Sequence, residues 1–183
     1  MQQLRTATAA LHQATEMLPL MQQLGCAEHL ATAYPRYLSA QYKLYRALEP
    51  LLYARCTPTT RIALGVQPKW SALAADLATL DIAPPPPAVV PLLIVDEPTA
   101  VGGLYVLEGA TLGGQVIARQ MRALNAELPL RFLECGAAQP NWRQFGIGMS
   151  NYVSAHPGCE AVIVAGAQAV FAWIYDTLAK VTP

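Results

Sequence analysis

Apolar side chains recur every three or four residues along most of this chain. No pair of alternating segments offers itself as strands, so the pattern predicts helices throughout. Residues 2–17 lack Gly and Pro and are rich in Ala and Leu, which favours a helix ended near Pro19. Tyr34, Tyr37, Leu38, Tyr42, Tyr45, Leu48 and Leu52 step by threes and fours and predict a long amphipathic helix over 27–54. Pro35 marks a late start or a kink in it, the tyrosines read as core packing, and His29 reads as exposed near its start. Thr57 before Pro58 is an N-cap followed by proline in the first turn. Gly65 and Pro68 then break the chain before a second helix over 69–80. Pro84, Pro85, Pro86 and Pro87 force an extended connector, and residues 89–95 read as an apolar loop because Pro91 interrupts them. Asp96, Pro98 and Thr99 open a helix running to about Asn125. Two further helices are expected over 141–155 and from Pro157 and Glu160 to near Lys180. The sum is an all-α bundle, one domain over residues 1–183, without internal repeats.

Composition narrows the class. Hydrophobic residues make up 54% and charged ones 13%, so most helices must bury more than one face. The net charge of +0, with no basic block, removes the electrostatic footprint of a nucleic-acid binder. The first residues, MQQLRTATAALHQ, lack a signal-peptide core. No uninterrupted apolar run reaches the roughly 18 residues of a membrane span. A cytoplasmic protein without a membrane partner is expected. Cys26, Cys56, Cys135 and Cys159 form no CxxC pair, so reduced structural thiols are expected rather than a cysteine-based metal site.

One stretch stands out against this background. Residues 101–120, VGGLYVLEGATLGGQVIARQ, place Gly102, Gly103, Gly109, Gly113 and Gly114 in what otherwise reads as a buried helix. Each interior glycine costs roughly 1 kcal/mol relative to alanine. Such a cost is offset where a neighbouring backbone or a ligand approaches the helix closely, or where the helix must bend. Packing explains one or two glycines; five favour a bend over something flat.

A second candidate lies at the start of the chain. Arg5, His12 and Glu16 share one face of the first helix, with the carboxylate one turn beyond the imidazole. Such a carboxylate can orient an imidazole, and a cation on the same face can pair with a bound anion. An ordinary solvated helix face has the same spacing. GxGxxG, GxxxxGK[ST] and GxSxG are all absent, and three histidines are too few for a His-rich metal site. What remains is one histidine and one glycine-rich helix in an apolar bundle. Haem, flat and apolar with anionic propionates, needs an axial imidazole on one face and a nearly side-chain-free wall on the other if dioxygen is to bind there.

Residues 4–16 (LRTATAALHQATE) and 103–119 (GLYVLEGATLGGQVIAR) resemble the proximal and distal helices of bacterial haem oxygenases, especially the biliverdin-forming enzymes associated with bacteriophytochromes. The similarity extends through KWSALAADLATL, NWRQF and GAQAVFAWIYDTL and so covers most of the chain. The resemblance implies a single-domain haem-oxygenase-like bundle. It implies His12 as the ligand of haem iron, Glu16 on the other ring nitrogen, and Arg5 and Tyr105 toward propionates. Gly109, Gly113 and Gly114 match the distal glycines, and Phe171 falls near a pocket-lining aromatic. Haem would then be both cofactor and substrate, opened to biliverdin with release of CO and ferrous iron. Dioxygen and electrons from a separate reductase or ferredoxin are implied, with a bacteriophytochrome as possible acceptor of the biliverdin.

Two positions depart from the pattern. One branch of the family carries an aspartate after the glycine equivalent to Gly109; here that residue is Ala110, so proton delivery falls to backbone and water. Around Met149 the chain reads GIGMSNYV, where relatives often have a basic residue toward a propionate. Both departures also fit a haem or tetrapyrrole carrier or sensor of the same fold. A TenA-like hydrolase lacks a matching Cys and Glu arrangement.

Overall fold

A computed structural model of the 183-residue chain describes residues 1–135 and 141–181. Among the described residues all regular structure is helical. The elements are α1 (Gln2–Glu16), α2 (Pro19–Gln23), α3 (Ala27–Arg55), α4 (Pro58–Leu64), α5 (Trp70–Thr79), α6 (Glu97–Leu124), α7 (Arg131–Glu134), α8 (Asn141–Ala155) and α9 (Glu160–Ala179).

Local chemistry explains most boundaries. The Thr57 hydroxyl accepts from Thr60 N at 3.1 Å to cap α4, and Gly65 ends that helix at a φ of 67°. Asp96 caps α6 by accepting from Thr99 N at 2.8 Å. Pro35 neither delays nor ends α3, which starts at Ala27 and runs through both Pro35 and Pro50. Tertiary packing outweighs the lost backbone hydrogen bonds, because Leu30, Tyr34, Leu38, Tyr45, Leu48 and Leu52 bury one face of it. Two short helices, α2 and α7, interrupt segments expected to be connectors. The buried carboxylate of Asp76 creates the second, accepting from Arg131 N at 3.1 Å and Phe132 N at 2.9 Å. The expected apolar loop lies across the bundle: Ala88 N donates to Lys43 O at 3.1 Å, and Arg55 Nε to Ile94 O at 2.7 Å. Ile94 is buried while Val89 and Leu93 point outward.

α3 and α6 bury the most residues, and α9 packs on both α6 and α1. By length and composition α9 is apolar enough to cross a membrane; here it lies within the helical bundle. A Cβ on Gly102 would collide with Ile163 O and stand 2.7 Å from Ala167 N, and one on Gly166 would stand 2.5 Å from Thr99 O. The two backbones thus touch directly, which only glycine allows.

Candidate active site

Along α9, Gln168 Nε2 donates to Ala7 O at 3.1 Å, and Phe171 meets His12 edge to face with ring centroids 6.2 Å apart. On another face of α9, Ala167 lies at Gly102 and Val170 at Gly103. α6 thus crosses α9 around Gly166 and Ala167, while α1 lies along α9 from Gln168 to Phe171. His12 emerges beside Phe171, and the remaining glycines of α6 follow about 9 Å and 15 Å beyond Gly103, at 1.5 Å per residue.

The imidazole is open. His12 and Glu16 side chains are 61% and 63% exposed, and His12 Nδ1 lies 3.5 Å from Glu16 Oε1. That spacing is long for a hydrogen bond but suits a carboxylate that orients the ring through a small movement or a water. With Nδ1 toward Glu16, Nε2 is the nitrogen available to an incoming ligand. Arg5 lies on the same helix, exposed, its guanidinium donating to Gln2 Oε1 at 2.9 Å.

The glycines of α6 divide by what faces them. A Cβ on Gly113 would meet nothing within 4 Å, and one on Gly109 would touch only the Trp142 ring, at 3.5 Å. Gly114 turns instead toward α7, where a Cβ would stand 3.3 Å from Leu133 O. Gly109, Leu112, Gly113 and Val116 lie on one helical face. Leu112 and Val116 on that stripe are 43% and 52% exposed, so it is apolar and uncovered, with open space directly over Gly113. Ala110 beside it is exposed and brings no acid. Tyr105 is buried with its ring centroid 5.6 Å from that of Trp142, which in turn stacks on Phe145 at 5.7 Å. Trp142 is a site-bordering residue to which the sequence assigned no role. Its signal was present in NWRQF, but nothing local said that it would reach Gly109.

Behind this wall lies a buried polar cluster. Lys69 Nζ donates to Glu108 Oε1, while Lys69 N and Trp70 N donate to Glu49 Oε1 and Oε2 at 2.6 Å and 3.2 Å. Burial pushes the Glu108 and Glu49 carboxyls above the usual range, opposed at Glu108 by Lys69 and at Glu49 chiefly by the two backbone donors. Met149 is buried on α8, whose basic residue, Arg143, lies near the start of the helix. Near the start of α3 the fold gathers Cys26, Glu28 and His29 with ligand atoms within 4.8 Å of one another. The trio is surface-facing, short of the four ligands that close a structural zinc site.

Comparisons with known proteins agree over most of the chain. A family model described as heme oxygenase matches residues 1–84. A heme oxygenase of Xanthomonas campestris pv. campestris (strain 8004) is 32% identical over 167 residues, covering 87% of this chain and 97% of the relative. The structure of the NO- and CO-bound heme oxygenase from Neisseria meningitidis aligns with a TM-score of 0.71 over 97% of this chain and 88% of that one. At 23% identity this last match speaks for the fold alone.

Proposed function

Because the chain belongs to the haem oxygenase family and is a haem oxygenase, we propose that it opens haem to biliverdin in the crevice between His12 and the Gly109–Gly113 face of α6. The observation that carries the placement is the paired geometry. An exposed imidazole on α1 and an exposed, apolar stripe around Gly113 on α6 belong to two helices that both pack on α9. Such a stripe fits the flat face of a tetrapyrrole, and an added Cβ at Gly113 would intrude on nothing but that ligand.

In this reading His12 Nε2 ligates the haem iron and Glu16 orients the ring through Nδ1. Phe171 supports the imidazole from α9. Arg5 supplies a cation on the propionate side, and Tyr105, held against Trp142, is the other proposed propionate neighbour. Gly109 and Gly113 form the distal wall, while Gly114 lets α7 close against α6. When bound, haem supplies both the iron that engages dioxygen and the ring that is cleaved, with CO and ferrous iron released. Proton supply falls to backbone and ordered water, because Ala110 provides no carboxylate. Electrons come from a separate reductase or ferredoxin. A cytoplasmic setting, one domain over residues 1–183 and delivery of biliverdin to a bacteriophytochrome complete the proposal.

The test loads purified protein with haemin and supplies ascorbate or a reductase with NADPH. Decay of the Soret band into a biliverdin spectrum is expected; a stable ferrous spectrum would favour the carrier reading that Ala110 also fits. His12→Ala is expected to abolish turnover and the axial-ligand spectrum. Its apo stability should stay within about 0.5 kcal/mol of the parent, because the side chain is exposed. An unchanged haem spectrum in that variant would remove His12 from its proposed role.

A further inference from the structure

The polar cluster behind α6 has no part in the reading above, yet it is the most deeply buried ionisable group of the site region. Lys69 is 3% exposed, Glu49 2% and Glu108 1%. Lys69 Nζ divides its donors between Glu108 Oε1 and Gln67 O, the latter at 3.1 Å. Glu49 is satisfied by two backbone N–H groups at the start of α5. Glu108 Oε2, by contrast, is buried without a hydrogen-bond partner among the described residues. Replacing such a pair by packed apolar residues is often neutral or stabilising, so stability is a poor reason for its presence.

Its position supplies another reason. Glu108 precedes Gly109, the first glycine of the open stripe. The same turn of α6 is held once more from the core side, where Tyr45 OH of α3 donates to Leu107 O at a longer 3.4 Å; within α6 itself Thr111 Oγ1 donates to Glu108 O at 2.6 Å. The helix is thus held by polar contacts on its buried face close to where its other face carries Gly109 and Gly113 beside Leu112 and Val116. A glycine-rich turn has little packing of its own to fix its height.

We propose that Lys69 and Glu108 form a positioning tether that fixes the Gly109 backbone relative to the ligand crevice. The functional meaning rests on the crevice reading above; the tether itself does not, so its test begins without haem. The double variant Lys69→Met/Glu108→Leu keeps volume and apolar packing while removing the tether. In the haem-free protein, amide hydrogen exchange over residues 104–116 is expected to quicken roughly tenfold, equivalent to losing one charge-assisted hydrogen bond. Exchange in α3 and α9 should stay as in the parent. In the ferrous CO complex, the C–O stretching band is expected to shift and broaden, and the distribution of biliverdin isomers to widen.

Unchanged exchange over 104–116 overturns the tether. Quickened exchange with an unchanged C–O band and isomer distribution overturns its role toward the crevice. If the double variant does not fold, Glu108→Gln, which still accepts from Lys69, carries the same measurements with smaller shifts expected in the same direction. No shift in exchange there also overturns the proposal. Failure of the parent to bind haem through His12 would sink the crevice reading and leave the exchange result standing on its own.

Discussion

Gly102 and Gly113 occupy the same helix and have opposite surroundings. At Gly102 a single added carbon would run into the backbone of α9; at Gly113 it would meet empty space. The first half of α6 is buried on every side from Ala100 to Glu108, whereas Ala110, Leu112, Gly113 and Val116 in the second half are exposed. Glycine therefore serves two ends in one helix. In the first half it removes side chains so that a neighbour of the same chain can come close, and in the second Gly114 does the same for α7 while Gly113 leaves open the space proposed above for a ligand. The resemblance already sets Gly109, Gly113 and Gly114 apart from Gly102 and Gly103; it takes the partner, Leu133, to move Gly114 to the packing side.

The largest effect expected from this difference lies at Gly102. Gly102→Ala forces two backbones apart and should cost about 3 kcal/mol of stability, the upper part of the usual overpacking range. Thermal melting of the haem-free protein measures it, and a melting point equal to the parent's would mean that α6 and α9 can separate freely. Gly113→Leu should behave oppositely. Its apo protein is expected to gain up to about 1 kcal/mol from helix propensity, while haem affinity falls by about 1–3 kcal/mol because the side chain occupies the ligand's space. Haem titration decides this, and undiminished affinity would move the ligand off this stripe.

The smallest effect concerns pH. Burial raises the Glu108 carboxyl above its ordinary 4.5, so the folded state holds a proton that the unfolded chain releases. Its contribution to stability is therefore greatest below 4.5 and declines as pH rises from there through the raised folded value. Glu108→Gln lacks this titration, so its stability relative to the parent should improve with rising pH over that window. A constant difference between the two melting curves would show that Glu108 titrates like an exposed carboxylate.

Much of the architecture was legible because its determinants are local. Thr57 and Asp96 are caps whose partners lie three residues on, and both operate as their sequence context predicts. The long helix through Tyr34 and Leu52 is equally plain from its period. What escaped depends on distant partners. The start of α7 is capped by Asp76, far back in α5, so its sequence alone reads as connector. Lys69 and Glu108 lie 39 residues apart, and in isolation each reads as a surface charge. Trp142 reached Gly109 only through the packing of α8 against α6. Gly114 shares a motif with Gly113 yet faces α7, because neighbouring residues on a helix point about 100° apart.

The contacts of α9 with two earlier helices have a consequence for how the chain is made. α6 and α1 both lean on α9, the last of the described helices to be synthesised. Until it emerges, the glycine groove of α6 and the inner face of α1 lack the surface they close against. These sequence-distant contacts give the bundle a slower route to its native state than neighbouring-helix pairing would. A nascent chain arrested before Glu160 should therefore expose apolar surface and depend on chaperones, while a few tens of residues more would allow it to close.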